Sequence, residues 1–107
     1  MIRGSVWWVE FDPAVGTEIQ KTRPAVIVSN NMANKYLDRV VVVPLTSNVS
    51  RLYPGEAVVT VNGNKNKVMT DQIMSADKSR LKNKIAVLSE NDIISVEMAM
   101  KRFFNFT

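Results

Sequence analysis

Short apolar segments separated by polar turns run along most of the chain, a pattern that is typical of β-strands. Residues 6–11 (VWWVEF) predict a first strand that is mostly buried, because β-branched and aromatic residues favour strands. Residues 24–29 predict a second strand, since proline is tolerated at a strand's first position. Residues 39–46 contain four consecutive valines and predict a buried, central strand. Between the first two strands lies a polar loop, residues 16–23.

A hairpin and a last short strand are predicted further along. Asn62-Gly63 lies between two strand-like segments, residues 55–61 and 65–73, and Asn-Gly is a strong signal for a tight hairpin turn. Residues 84–88 predict the last strand. Residues 30–36 are polar and predict a loop or one helical turn.

The end of the chain changes to helical spacing. Ser89 followed three positions later by Asp92 has the form of a helix N-cap with an acidic third position. Apolar residues then recur every three or four positions at Ile93, Val96, Met100 and Phe103. The pattern therefore predicts a mainly β chain of about six strands with a C-terminal helix, in a compact, bent sheet or small barrel.

The adjacent tryptophans, Trp7 and Trp8, are interpreted as core residues rather than as a ligand platform. Neighbouring strand residues face opposite ways, so at most one of them lies in the core.

Length and apolar runs place the chain in a class. With 107 residues we expect one domain, residues 1–107. No apolar run approaches the length of a membrane-spanning helix, and the start has no signal-peptide pattern, so we expect no membrane association and a cytoplasmic location.

Two absences from the composition restrict the chemistry. Without cysteine there is no disulfide, thiolate nucleophile or cysteine zinc site, and without histidine there is no His-based ribonuclease or Ser-His-Asp hydrolase. We expect no metal and no cofactor. Six basic side chains face two acidic ones across residues 65–84, so this stretch alone accounts for the net charge of +4. Such a field favours nucleic acid or an acidic peptide, although a solvated lysine-rich surface has the same composition.

Three polar segments are candidate sites, and each also has an ordinary structural interpretation. The loop at residues 16–23 carries two cations and joins two buried strands, as functional loops and many other loops do. Thr46-Ser47 places hydroxyl groups at the end of the central strand, where such residues also serve as turn formers. Asp71-Gln72 interrupts an apolar strand, where a carboxylate needs a partner or an open face.

These segments carry a resemblance to a known family. The chain resembles the MazF/PemK family of toxin endoribonucleases over nearly its full length. The matching segments are RGSVWWVEFDP (3–13), GTEIQKTRPAVIVSN (16–30), VVVPLTS (41–47), DQI (71–73), DKSRL (77–81) and LS (88–89).

The resemblance implies a fold of the CcdB/MazF type, a small SH3-like twisted barrel with a terminal helix, and a homodimer. It also implies metal-independent cleavage of single-stranded RNA at short sequence motifs. The implied partner is a cognate antitoxin with an acidic, partly apolar disordered tail that covers the RNA groove.

The resemblance also implies roles for individual residues. It assigns catalysis to Arg23 and Thr46, and it places Glu18 in the loop that lines the RNA groove. Because an arginine is a poor base at neutral pH, Glu18 is the alternative general base. The implied substrate-binding residues are Gln20, Lys21, Ser47, Asp71 and Gln72.

Two positions depart from the family pattern, and two other functions remain as alternatives. Met74 stands where many members have arginine, and Gly55 stands where many have phenylalanine, which bears on cleavage specificity. A CcdB-like gyrase-poisoning toxin shares the fold but relies on a tryptophan-containing tail, whereas residues 102–107 read RFFNFT. A non-catalytic RNA-binding barrel would need the basic charge alone.

Overall fold

The computed structural model describes all of residues 1–107 as seven strands, two α-helices and two short 3₁₀ turns. The strands are β1 Ser5–Glu10, β2 Thr22–Ile27, β3 Arg39–Thr46, β4 Ala57–Val61, β5 Asn64–Val68, β6 Met74–Asp77 and β7 Leu81–Val87. The helices are α1 Asn31–Tyr36 and α2 Glu90–Phe104, and the 3₁₀ turns are Thr70–Gln72 and Lys78–Arg80. Neither helix is long and apolar enough to cross a bilayer.

The valine-rich strand β3 organises the sheet, whose strand order is β4-β5-β3-β2-β1-β7. One edge of β3 pairs with β2, and the other edge pairs first with β6, through Val42↔Met74, and then with β5, through Leu45↔Val68. Because two different strands share one edge, the sheet curls around the end of β3. The prediction of a central, buried strand is confirmed.

Alternating side chains divide the core into two clusters on opposite faces of the sheet. The helix-side cluster contains Val6, Val26, Val43, Leu45, Val59, Val61, Val68, Leu88 and Val96. The opposite cluster contains Val9, Phe11, Ala25, Ile27, Val40, Val42, Ala76 and Leu81. The strand ends that carry polar residues are therefore fixed by apolar packing on both faces.

Local signals correctly predicted the hairpin and the C-terminal helix. Asn62 and Gly63 have φ values of 49° and 82°, the two positive values that a type I′ turn needs. Ser89 Oγ accepts a hydrogen bond from the Asp92 backbone N–H, which caps α2. Asn105 ends α2 in the left-handed conformation at φ 59°. Phe103 differs from its predicted place on the buried helix face, since it is 44% exposed.

The segment after the hairpin differs from the prediction. The strand expected over residues 65–73 ends at Val68, and Thr70–Gln72 is a 3₁₀ turn. Thr70 is buried and its hydroxyl donates to the Gly55 carbonyl, a long-range contact that bends the chain out of the sheet. A separate strand, β6, then follows, so the sheet has seven strands. Asp71 and Gln72 consequently lie in a turn, not inside a strand.

Candidate active site

A cleft of about 630 Å³ opens where β1, β2, β3 and the β4–β5 hairpin meet. Its lining consists of Trp8, Thr22, Arg23, Pro24, Leu45, Thr46, Ser47, Val61, Asn62, Asn64, Lys65, Asn66 and Ile85. The register of the sheet brings these residues together, because Trp8 pairs with Pro24 and Ala25 pairs with Pro44. We call it the β3-end cleft.

Arg23 lies on β2 with its guanidinium available to a ligand. Its Nε donates to the Gln20 carbonyl at 3.3 Å, and it has no carboxylate within ion-pair distance. The terminal nitrogens make no hydrogen bond within the protein. A guanidinium anchored through Nε alone can present two parallel N–H donors to a phosphate.

Thr46 is the last residue of β3, and its hydroxyl is oriented by the following turn. Thr46 Oγ1 accepts a hydrogen bond from the Asn48 backbone N–H at 3.2 Å. Because this bond uses a lone pair, the hydroxyl proton remains free to be donated into the cleft. Ser47 follows directly and lines the same cleft.

The electrostatics of the β3-end cleft suit a polyanion. Arg23 and Lys65 contribute positive charge, and no carboxylate lines the cleft. Trp8 is 42% exposed and lies in the lining, so its indole face is accessible. An exposed aromatic ring beside a positively charged groove is a typical site for single-stranded nucleic acid.

At most one of the two tryptophans was predicted to lie in the core, and Trp8 is the one that faces outward, into the β3-end cleft. Trp7 is half-buried against the opposite cluster, and its Nε1 donates to Ser5 Oγ at 3.0 Å. Strand alternation was the signal that one of the two had to face outward, but it did not show which.

Three other predicted residues lie in a different cleft. Glu18, Asp71 and Gln72 line a cavity of about 460 Å³, together with Phe11, Pro13, Thr17, Ile19, Ile73, Met74 and Arg80. Glu18 Oε1 accepts from the Val15 backbone N–H at 2.8 Å, and Gln72 Oε1 accepts from the Ile19 backbone N–H at 3.1 Å. The structure therefore places Glu18 away from the lining that Arg23 and Thr46 share.

Gln20 and Lys21 line neither cleft, and their side chains are exposed. Both residues contribute backbone hydrogen bonds instead. The Gln20 carbonyl accepts from Arg23 Nε, and the Lys21 carbonyl accepts from the Phe11 N–H at 2.8 Å. Lys21 has φ 66°, and its N–H donates to Asp12 Oδ1 at 2.9 Å. These contacts hold the loop that presents Arg23.

The basic stretch at residues 65–84 does not form a single surface. Lys65 lines the β3-end cleft, whereas Lys67 is only 9% exposed. Arg80 donates to the Glu10 and Asp12 carbonyls at 2.9 and 2.8 Å. No group of three His, Cys, Asp or Glu side chains is arranged to hold a metal ion.

The structure explains the glycine that departs from the family pattern. Gly55 has φ +87°, and a Cβ added there would lie 3.0 Å from the Cβ of Phe103. An aromatic residue at position 55 would therefore meet the C-terminal helix. Met74, the second departure, packs on the opposite cluster and lines the 460 Å³ cleft.

Comparison with known proteins identifies the family of this chain and agrees with the fold. The family described as PemK-like, MazF-like toxin of type II toxin–antitoxin system matches residues 2–104. The endoribonuclease MazF9 of Mycobacterium tuberculosis is 36% identical over 110 residues, which cover 94% of this chain and 93% of that protein. The endoribonuclease MazF of Staphylococcus epidermidis is 32% identical, over 92% of this chain and 86% of that protein.

Solved structures show the same fold. The crystal structure of MazF from Deinococcus radiodurans has a TM-score of 0.85 at 24% identity, over 98% of this chain and 96% of that one. A mycobacterial endoribonuclease in complex with its cognate antitoxin has a TM-score of 0.84 at 21% identity, over 100% of this chain and 97% of that one. The predicted fold and the resemblance are thus confirmed, and the chain belongs to the family of PemK-like, MazF-like toxins of type II toxin–antitoxin systems.

Proposed function

We propose that this chain is an endoribonuclease toxin that cuts single-stranded RNA at short sequence motifs without a metal ion. The observation that carries the proposal is the meeting of Arg23 and Thr46 in one cleft that contains no carboxylate. A phosphodiester can approach these donors without repulsion, and the exposed Trp8 ring offers a surface for an unstacked base. The names of the relatives, endoribonucleases, agree with this activity.

The proposed reaction is attack of a ribose 2′-OH on its own adjacent phosphate. The new bond joins O2′ to phosphorus as the 2′-OH gives its proton to a general base. The bond from phosphorus to O5′ breaks as O5′ takes a proton from a general acid or from solvent water, which leaves a 2′,3′-cyclic phosphate and a 5′-OH. Arg23 binds the non-bridging oxygens and stabilises the charge of the phosphorane. The Thr46 hydroxyl donates a hydrogen bond to the same oxygens, and Ser47 lies beside them. The site holds the in-line geometry, which is where much of the acceleration arises.

Proton removal from the 2′-OH is assigned to a group that reaches the β3-end cleft. Arg23 is already there, but a guanidinium gives up its proton very reluctantly. Glu18 has the more suitable chemistry, but it must leave the Val15 N–H and enter the cleft with its loop. Glu18→Gln separates the two: a large loss of kcat assigns the base to Glu18, and an unchanged kcat assigns it to Arg23.

We also propose a homodimer and an antitoxin partner with an acidic, partly apolar disordered tail. The mycobacterial relative was solved with its cognate antitoxin, which supports a partner of this class. An acidic tail would occupy the cationic β3-end cleft, because Arg23 and Lys65 are its charged lining residues. Peptide and RNA should then compete, and simultaneous binding of both would contradict a shared site.

The test is cleavage of a long unstructured RNA by the purified protein in excess EDTA, with identification of the product ends. Arg23→Ala should abolish cleavage, while Arg39→Ala, an exposed arginine at the opposite end of β3, should not. Products with cyclic phosphate and 5′-OH ends support the proposal. RNA that stays intact but binds with similar affinity to parent and Arg23→Ala points to a non-catalytic RNA-binding barrel. Intact, unbound RNA leaves a gyrase-poisoning toxin as the remaining candidate.

A further inference from the structure

Lys67 has a largely buried side chain, which is unusual for a lysine. Its side chain is 11% exposed, and its ammonium lies at the base of the β3–β4 loop, residues 47–56. The Nζ donates to the Arg51 carbonyl at 3.0 Å and lies 3.4 Å from Glu56 Oε1. It also lies 5.4 Å from the centroid of the Tyr53 ring, within the range of a cation–π contact.

Glu56 completes the attachment of this loop. Its side chain is also 11% exposed, and Oε1 accepts from the Tyr53 backbone N–H at 2.7 Å. The lysine and the carboxylate thus each hold one backbone group of the loop while they neutralise one another. The loop has no regular secondary structure of its own, so these contacts, together with the Thr70 hydroxyl that donates to the Gly55 carbonyl, hold its conformation.

The held loop leads directly back to Thr46. The Asn48 N–H donates to Thr46 Oγ1, and Asn48 Oδ1 accepts from the Ser50 backbone N–H at 3.3 Å and from its hydroxyl at 2.7 Å. The next residue is Arg51, whose carbonyl is held by Lys67. Thr46 and Lys67 are also cross-strand partners in the β3–β5 ladder. A continuous series of contacts therefore connects the Lys67 ammonium to the Thr46 hydroxyl.

We propose that Lys67 is a positioning residue for RNA cleavage. It holds the β3–β4 loop so that the Asn48 N–H stays on Thr46 Oγ1, and the hydroxyl proton of Thr46 stays directed into the cleft. Lys67 does not line that cleft, so the proposed role is indirect, through the loop. The inference rests on the proposed function, because it concerns the orientation of a proposed catalytic hydroxyl.

The experiment compares Lys67→Met with Lys67→Arg and with the control Lys82→Met. Lys82 forms a pair with Glu10 at the same 3.4 Å, but on the exposed surface. We expect Lys67→Met to lower kcat by about 10- to 100-fold with little change in KM, because misplacement of a reacting group by about 1 Å has effects of this size. Amide exchange in residues 47–56 should become faster in the same variant. Lys67→Arg should restore part of both quantities, and Lys82→Met should change neither.

The outcomes separate the inference from the function on which it rests. If the parent leaves RNA intact, the proposed function fails and the inference fails with it. If the parent cleaves RNA but folded Lys67→Met retains kcat, or residues 47–56 keep their exchange rates, only the inference is overturned. Should Lys67→Met not fold, Glu56→Gln replaces it, since glutamine keeps an acceptor for Tyr53 and removes only the charge. A folded Glu56→Gln protein with unchanged kcat and exchange overturns the inference equally.

Discussion

Two lysine–carboxylate pairs in this protein have the same separation but different surroundings. The nearest Lys67–Glu56 atoms and the nearest Lys82–Glu10 atoms are both 3.4 Å apart. The first two side chains are each 11% exposed, whereas the second two are 49% and 48% exposed. Burial is therefore the main difference between the pairs, and it predicts very different effects of removing one partner.

Replacement of Lys67 by methionine should lower the free energy of unfolding by about 3 kcal/mol, because it leaves a largely buried carboxylate without its cation. Glu56 would keep only the Tyr53 N–H as a partner, and the Arg51 carbonyl would lose its donor. The corresponding change at Lys82 should cost less than about 0.5 kcal/mol, because water solvates the remaining carboxylate. Replacement of both buried partners, in Lys67→Met with Glu56→Leu, should recover much of the loss, because an apolar pair leaves no unpaired charge.

The assay is urea unfolding followed by tryptophan fluorescence and circular dichroism. Protein concentration is held constant, because the stability of the proposed dimer would depend on it. Equal slopes across the variants would show that midpoint shifts report stability. If Lys67→Met and Lys82→Met destabilise equally, the low-dielectric argument for the buried pair is refuted.

Three further predictions follow from single contacts. In an Arg23→Ala background, which is expected not to cleave, Lys65→Met should reduce the slope of log K for RNA binding against log salt concentration by about 0.7, the value for one phosphate contact on a single strand. An unchanged slope would show that Lys65 does not contact the RNA. Gly63→Ala should cost about 1 kcal/mol for its left-handed conformation, and Gly55→Ala should cost more, because an added Cβ meets the Phe103 side chain at position 55 and meets nothing at position 63; urea midpoints in the reverse order would contradict this. Hydrogen bonds from the hydroxyl, and to a smaller extent from the backbone N–H, of Ser79 lower the pKa of Asp77 below 3.8. The stabilisation by the Asp77 carboxylate is therefore present at neutral pH and lost as pH falls through the lowered pKa. The difference in urea midpoint between the parent and Asp77→Asn should shrink in acid, and a constant difference would exclude this linkage.

Local signals in the sequence predicted those elements that local interactions determine. The Asn62-Gly63 turn and the Ser89 cap each depend on residues a few positions apart, and both have the predicted form. The Thr70–Gln72 turn depends instead on a hydrogen bond to Gly55, fifteen residues away in sequence. No period or turn signal in residues 65–73 reveals that contact, so the strand was predicted to be too long.

The candidate site likewise contains some features that the local sequence predicted and others that depend on contacts distant in sequence. Arg23 was predicted at the end of a polar loop and Thr46 at the end of the central strand, and the register of the sheet places both in one cleft. Lys67 was counted with the surface charge of the basic stretch, although strand pairing directs it to the base of the β3–β4 loop. Composition alone does not distinguish a solvated lysine from one that holds a backbone carbonyl. The position of Glu18 in the 460 Å³ cleft likewise depends on how the loop folds, which the residue types of the loop do not determine.

The residues that line the β3-end cleft limit the size of the catalytic effect. Because no histidine or carboxylate lines it, charge stabilisation and orientation are expected to supply most of the acceleration, and proton transfer depends on Arg23 or on a Glu18 that enters the cleft. A preorganised donor contributes about 3–4 kcal/mol at most when it is removed from a site of this kind. With Arg23 and Thr46 as the two such donors, orientation of the hydroxyl accounts for a large share of the total. A loop contact that keeps this hydroxyl in place then carries part of that donor's contribution to the rate, which is why removal of a buried lysine outside the cleft is expected to lower kcat.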